Sequence, residues 1–466
     1  MSDLSRCAFV LVLLIIFLSC GCGVTAAPAP PNSFPAVVFS DIHFNPFDDS
    51  SLCSALLAAD VSQWQGILKT SSNPPSLWGS DTNYALLVTA LAGIKQNLGA
   101  SPVILYTGDL VGHNMSTLLN QDCGTQDQAT LQAFVDKTAA FVMQQVRASV
   151  GNTPVMFAVG NSDSYTGLGP DATFLSNTAD LFYTNFVSGT VDHQTFLSTF
   201  QAGGYYSAQP VGQNLVVIAL NTNPFAPPYP GTPSADSEVT AELIWLDATL
   251  ASAQAAGQKV WLLMHIPPGA NTVSTATNFA TYGYLTPATA LMMWVPDYQD
   301  RFLQILSKYP AVITMTLAAH THRDEFRIMS SADALDITPA ISPAFGNDPA
   351  FKVFTFSQDT FTPTDYRSLN YDLATMPAQF NSYYTFSEAY SMRGSLHTSL
   401  GQLYPALIMN NAKQNLYKGQ YNSGNNSLNP STQANWNPIT YPTWPVFACG
   451  IGKMAQQDFI DCVNNF

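Results

Sequence analysis

Short runs of β-branched and aliphatic residues punctuate the chain at 36–41, 102–109, 154–161, 215–221, 259–265 and 312–319. Each has the length of a strand and closes on polar or small residues, so each predicts a β-strand. Between them Tyr84, Leu87, Val88, Leu91, Ile94 and Leu98 share one face at helical spacing, as do Val239, Leu243, Leu246 and Leu250. Strands alternating with amphipathic helices predict an α/β fold in which central sheets lie between helices. After residue 351 the character changes. Residues 374–418 are rich in Tyr, Ser, Ala and Leu and predict helices joined by short breaks. The segment 421–437, dense in Asn, Ser and Pro, predicts a loop before the tail that carries Cys449 and Cys462. No internal repeat is evident.

The N-terminus adds an address. Arg6 precedes an unbroken apolar run, Ala8 to Leu18, and small residues follow up to Val24-Thr25-Ala26. This order predicts a secretory signal peptide over residues 1–26, while a lipoprotein reading of Cys20 or Cys22 has a poor motif behind it. The run is too short to span a bilayer and no later segment is longer, so no transmembrane segment is expected. Four cysteines then remain, Cys53, Cys123, Cys449 and Cys462. In an exported chain an even count favours disulfides. Of the three possible pairings, Cys53 with Cys123 and Cys449 with Cys462 keep each bridge to one end of the chain. Charge narrows the partners: 16 Lys and Arg against 31 Asp and Glu give a net charge of -15. Nucleic-acid binding through a basic surface is disfavoured, and nothing in the pattern points to a protein partner. Such a balance suits a secreted, extracellular or lysosomal protein.

Candidate chemistry sits where the predicted strands end. In chain order the motifs are Asp41-Ile42-His43, Gly108-Asp109 with His113, Gly160-Asn161-Ser162-Asp163, Met264-His265 and His320-Thr321-His322. Carboxylate, amide oxygen and imidazole are ligands for borderline divalent metals. Loops at strand ends gather such residues at one edge of a sheet even when they are far apart in sequence. Asp41 with His43, and His320 with His322, are spaced by two, which in extended backbone points both side chains the same way. Any one of these motifs is commonplace; five in order, each closing a predicted strand, point to a metal site. Seven ligands suit two metals sharing a bridging carboxylate, for which Asp109 is the natural choice.

These blocks resemble the calcineurin-like metallophosphoesterases over roughly residues 36–326. The narrower resemblance is to the acid sphingomyelinase-like phosphodiesterases. It rests on His265-Ile266-Pro267-Pro268-Gly269, on the run from Ala319 through His320 and His322 to Phe326, and on Ile341-Ser342-Pro343-Ala344-Phe345-Gly346-Asn347-Asp348-Pro349-Ala350-Phe351. The resemblance implies a four-layer sandwich of two central mixed β-sheets flanked by helices over residues 34–350, with a C-terminal helical subdomain and disulfide-linked tail over 351–466. It also implies that Asp41, His43, Asp109 and His322 hold one metal, that Asp109, Asn161, His265 and His320 hold the other, and that His113 lies beside the phosphate. Zinc is the metal the family usually carries. The implied activity is hydrolysis of a phosphodiester or pyrophosphate, in a nucleotide derivative or a phospholipid headgroup such as sphingomyelin. With the first strand so close to the cleavage site, the saposin-like domain of true acid sphingomyelinases is not expected.

One block departs from the pattern. The family's Gly-Asn-His, whose imidazole helps protonate the leaving oxygen, is here Gly160-Asn161-Ser162. A serine hydroxyl has no pKa near neutrality and cannot serve as general acid, a role typically contributing roughly 100- to 10,000-fold. Three outcomes follow: slower catalysis carried by His113, a preference for leaving groups that need little protonation, or a metal-binding pseudoenzyme. A phosphomonoesterase is a further alternative. Of the two sequons, Asn114-Met115-Ser116 adjoins His113 and is expected to stay unmodified, leaving Asn425-Asn426-Ser427 as the expected glycan acceptor. His193 and His397 match no motif and are expected to be ordinary surface or core histidines.

Overall fold

A computed structural model describes residues 32–227, 235–330, 333–432 and 434–466, which belong to one compact unit, Asn32–Phe466. The expected signal peptide lies outside the described residues. Two six-stranded mixed sheets form the centre. The first contains β1 (Ser33–Phe39), β2 (Ile104–Tyr106) and β3 (Val155–Phe157). The second contains β4 (Tyr206–Ala208), β5 (Leu215–Ala219), β6 (Lys259–Leu263), β7 (Ile313–Ala318), β8 (Glu325–Ser330) and β9 (Asp333–Ile337). The chain then returns to the first sheet with β10 (Ala350–Ser357), β11 (Pro363–Asn370) and β12 (Asn381–Thr385). The strand orders are β12-β11-β10-β1-β2-β3 and β4-β5-β6-β7-β9-β8. In each sheet three strands that carry the predicted motifs or flank them run parallel: β1, β2 and β3 in one, β5, β6 and β7 in the other.

The alternation of side chains explains the two packed layers. In β6, Trp261 and Leu263 face the core between the sheets, whereas Val260 and Leu262 face a second core under the helices Asp236–Ala255 and Pro296–Leu306. In β5, Leu215 and Val217 point one way and Val216 and Ile218 the other. A strand covered on both faces is apolar throughout, which is why these segments stood out as unbroken runs. Trp261 crosses between the sheets onto Phe356 of β10, ring centroids 4.2 Å apart, and its indole N–H donates to the Phe361 carbonyl.

All six expected strands are present. The helix Tyr84–Asn97 is present too, with Leu87, Leu91 and Ile94 buried, but Val88 is 45% exposed and its place on the inner face is taken by Leu86 and Ala90. Val239, Leu243, Leu246 and Leu250 are all buried as the spacing requires. Both expected disulfides form. Cys53–Cys123 joins the helices Cys53–Ala58 and Met115–Cys123, and Cys449–Cys462 joins Trp444–Gly452 to Gln456–Asn464.

The region after 351 contains the expected C-terminal helices and, in addition, strands of the first sheet. Helices Phe386–Tyr390, Leu396–Met409 and Asn411–Tyr421 are there, but three strands precede them, and β10 pairs directly with β1. The boundary expected at 350 therefore falls at the start of a strand inside the first sheet. The reason it was not legible is Lys352, whose charge breaks the apolar pattern of β10 although the residue is fully buried. Its ammonium lies 2.8 Å from Asp324 and 2.8 Å from Asp336, and 4.4 Å from the Tyr366 ring centroid. The Tyr384 hydroxyl donates to Asp324 at 2.8 Å. These groups tie β9 of one sheet to β10 and β11 of the other through charge.

Breaking a buried pair on one side leaves the partner charge unmatched, which typically costs about 3 to 5 kcal/mol. Lys352→Met is accordingly expected to lower the urea midpoint by that equivalent with an unchanged slope. A loss of less than about 1 kcal/mol would show that the carboxylates are not held as ions by this lysine.

Candidate metal centre

Every predicted ligand sits just past the C-terminal end of a parallel strand: Asp41 and His43 after β1, Asp109 after β2, Asn161 after β3, His265 after β6, and His320 and His322 after β7. Backbone bonds hold these strand ends in register, with Asp41 N–H on the Gly108 carbonyl, His43 N–H on the Asp109 carbonyl and Ala319 N–H on the His265 carbonyl. The local geometry is not the extended one that the two-residue spacing suggested. Asp41, His43, Asp109, His320 and His322 all adopt positive φ, between 44° and 71°. L-residues avoid this region at a cost of order 1–3 kcal/mol each. Repeated left-handed turns, rather than the pleat of a strand, bring each pair to one side.

Asp109 is the centre of the cluster. Its Oδ2 lies 3.2 Å from His43 Nε2 and 3.1 Å from His265 Nε2, and its Oδ1 accepts from the Ser162 N–H at 2.7 Å. Asp41 Oδ1 is 3.4 Å from His322 Nε2, and His43 Nε2 is 3.1 Å from His322 Nε2. Asn161 Oδ1 is 3.2 Å from His265 Nε2, and the His320 ring stands edge-on to His265 at 5.2 Å. Candidate ligand atoms fall into overlapping groups: Asp41, His43 and Asp109; Asp109, His265 and His320; and His43, His113 and His322, each within 4.8 Å. The seven predicted ligands thus converge on one place, with Asp109 common to two groups.

The donor set fits cations. His43 Nδ1 faces the Val111 carbonyl at 3.2 Å and His265 Nδ1 faces the Thr107 carbonyl at 2.8 Å. A carbonyl only accepts, so both rings carry a proton on Nδ1 and turn Nε2 to the centre, the arrangement that prepares an imidazole as a ligand. Both carboxylate oxygens of Asp41 are buried without a hydrogen-bond donor. Burial works against charge here, yet the carboxylates win at two positions: burial pulls His43 and His265 down, but Asp109 holds both up at about 9. Burial likewise opposes ionisation of Asp109, but His265 and His43 hold its carboxyl far below the usual range. Burial and His265 push His320 down to about 4, and burial pushes His322 well below its ordinary value. Metal ions would take over the compensation that the protons on His43 and His265 give the carboxylates.

Several supporting groups had no role assigned from the sequence, although Gly160 and Asp163 lie inside a candidate motif. Asp163 accepts from the backbone N–H groups of Asp109, Leu110 and Gly160 at 2.7 to 3.0 Å and so shapes the loop that carries Asp109. Gly160 is required there, because a Cβ would collide with the Asp109 carboxylate. Asp81, in an irregular segment without periodicity, accepts from the His113 backbone N–H at 2.7 Å and lies 2.8 Å from its Nδ1. His113 stacks on His43 at 3.9 Å and is half-buried. Ser162 is buried, its N–H on Asp109 and its hydroxyl 3.4 Å from the Asn161 amide nitrogen. His193 pairs with Asp180 at the surface, and His397 lines a separate cavity near the N-terminal ends of β6 and β7.

The sequons behave differently from expectation at one position. Asn114 is exposed beside His113. Asn425, expected to be the freer acceptor in a polar loop, is buried, with its amide donating to the Gly346 carbonyl at 2.7 Å. Its side chain is engaged inside the fold, because the loop wraps onto the protein instead of extending from it.

The chain is similar to known proteins over most of its length. The chain is 26% identical over 391 residues to sphingomyelinase phosphodiesterase D of Dictyostelium discoideum, covering 78% of this chain and 81% of that one. It is 26% identical over 438 residues to the cyclic GMP-AMP phosphodiesterase SMPDL3A of Rattus norvegicus, covering 87% and 88%. Against the human acid sphingomyelinase-like phosphodiesterase 3b, identity is 22% over 364 residues, covering 70% and 71%. The calcineurin-like phosphoesterase family matches residues 34–324, which hold all seven predicted ligands. With more than half its length matched, the chain belongs to the calcineurin-like phosphoesterases.

Proposed function

We propose that this protein hydrolyses phosphodiester or pyrophosphate bonds with the help of two divalent ions, held by Asp41, His43, Asp109 and His322 on one side and by Asp109, Asn161, His265 and His320 on the other. The observation that carries the reading is the Asp109 carboxylate, placed between two imidazoles that reach it from different sheets. Bound ions would supply an activated water and offset charge on the phosphoryl oxygens. A donor set dominated by imidazole suits zinc.

The chain's own contribution beyond holding the ions is proton handling. Ser162 has no acid function, so the group available to protonate a leaving oxygen is His113. Asp81 orients it: the carboxylate fixes Nδ1, which leaves Nε2 for substrate. Burial works to raise the Asp81 pKa, but the His113 bonds together with the charges on His43 and His113 hold the carboxyl below its ordinary range. The substrate is a small phosphate compound, a nucleotide derivative or a phospholipid headgroup, in line with relatives named for cyclic GMP-AMP and for sphingomyelin. Two disulfides support an oxidising, extracytoplasmic or lysosomal setting. No helix among the described residues is long and apolar enough to cross a membrane.

Purified protein loaded with zinc is expected to hold two equivalents of metal and to cleave bis(p-nitrophenyl) phosphate, with activity lost on chelation and regained on zinc addition. Elemental analysis showing two metals with no turnover of this substrate, a nucleoside triphosphate or sphingomyelin would sink the hydrolase reading in favour of a binding protein. Faster cleavage of AMP than of ATP, read from the products, would instead assign a phosphomonoesterase. Asp109→Asn removes the shared carboxylate, and kcat is expected to drop by about a thousandfold, the equivalent of ~4 kcal/mol of charge stabilisation, with metal content reduced. His113→Gln is expected to slow substrates with alkoxide leaving groups by roughly 100-fold or more. The p-nitrophenolate leaving group needs little protonation and should be affected far less. Equal losses for both would exclude His113 as the proton donor.

A further inference from the structure

Phe345 belongs to the Ile341 to Phe351 motif but has no part in the metal cluster. It is 48% exposed, and among the described residues the only other phenylalanine so exposed is the terminal Phe466. Its edge-to-face contacts place it at the mouth of the centre: 4.6 Å from the His322 ring and 5.6 Å from the His113 ring, at 75° and 76°.

The loop beneath it is held with more bonds than a surface turn needs. Arg323, a buried guanidinium, donates to the Phe345 carbonyl at 3.0 Å. The next carbonyl, of Gly346, accepts from both Asn422 and Asn425, at 2.6 and 2.7 Å. Gly346 N–H and Gly79 N–H both donate to the Pro343 carbonyl. Gly346 itself has φ +81°, and the Trp436 indole fills the space a Cβ would need. An exposed aromatic ring on a fixed loop is a preformed contact surface, since little order remains to be imposed when something stacks on it.

We propose that Phe345 is a specificity residue, which stacks on the flat aromatic portion of a substrate whose phosphate lies at the metal centre, so that the preferred substrates are nucleotides. This rests on the phosphohydrolase reading above and deepens it. A quaternary ammonium headgroup is the weaker match: recognition of such cations uses several rings as a cage. Here one half-exposed phenyl ring is present, its aromatic contacts among the described residues are the imidazoles of His113 and His322, and the Arg323 guanidinium is bonded directly to its backbone. A nucleobase needs one open ring face, and such stacking is worth about 5- to 150-fold in affinity per base.

The test compares ATP with inorganic tripolyphosphate, which keeps the phosphate chain and lacks the base, using the zinc-loaded full chain. Phe345→Ala is expected to lower the ratio of kcat/KM for ATP over tripolyphosphate by about 5- to 150-fold, mostly through KM, and Phe345→Trp is expected to restore it. An unchanged ratio overturns the proposal, as does a loss confined to glycerophosphocholine, which would assign the ring to a choline group. Calorimetric binding of AMP against inorganic phosphate reads the ring without turnover. If AMP binds more tightly through Phe345 while nothing is hydrolysed, the hydrolase reading fails and the stacking stands; if AMP and phosphate respond alike to Phe345→Ala while hydrolysis proceeds, the stacking fails and the hydrolase reading stands.

Discussion

The rest of this molecule depends on keeping one carboxylate in a water-excluded place between imidazoles that arrive from two different sheets. Asp109 comes from the first sheet and His265 from the second, and His265 also leans on the Thr107 carbonyl of the first. Burying an ionised carboxylate without compensation is prohibitive, so the groups that surround it have to be held in place. Asp163 collects the N–H groups of the loop, Gly160 leaves room for the carboxylate, and five residues accept left-handed backbone. Strain of that kind persists only where neighbouring structure over-determines it. Here the parallel strands and the inter-sheet core supply the determination.

Seen this way, the charged tie between the sheets and the metal centre address the same problem from opposite directions. The core around Trp261 and Phe356 sets the spacing of the layers without direction, because apolar contact is tolerant of sliding. Lys352 between Asp324 and Asp336 is directional. Asp324 lies two residues beyond His322 in the chain, so the charge that locks the layers also limits where the last ligand loop can go.

What could be read from the sequence follows from the same physics. The clustering of the candidate ligands was legible because each one follows an apolar run closely, where a polar side chain has no other obvious purpose, and because five such runs recur. The parallel strands were legible because both faces are covered. Strands β8 to β12 were not, since Arg327, Asp336 and Lys352 are buried polar residues that mimic surface positions. Asp81 was invisible for a different reason: its role is defined only by His113, which is distant in sequence, and its own segment has no periodicity. The spacing of Asp41 with His43 gave the right pairing through the wrong geometry, for the residues lie past the strand in left-handed turns. Asn425 shows the converse error, in which polar composition was mistaken for exposure.

The Asn-rich stretch that reaches back to Gly346 carries a consequence for how such a scaffold diversifies. Two of its amides, Asn422 and Asn425, brace the Gly346 carbonyl beside Phe345. Drift in that stretch can therefore re-aim the entrance while the catalytic floor stays unchanged. On the proposed role of Phe345, selectivity and reactivity would then be separately heritable traits within one chain, divided between a late-sequence collar and an early-sequence hearth.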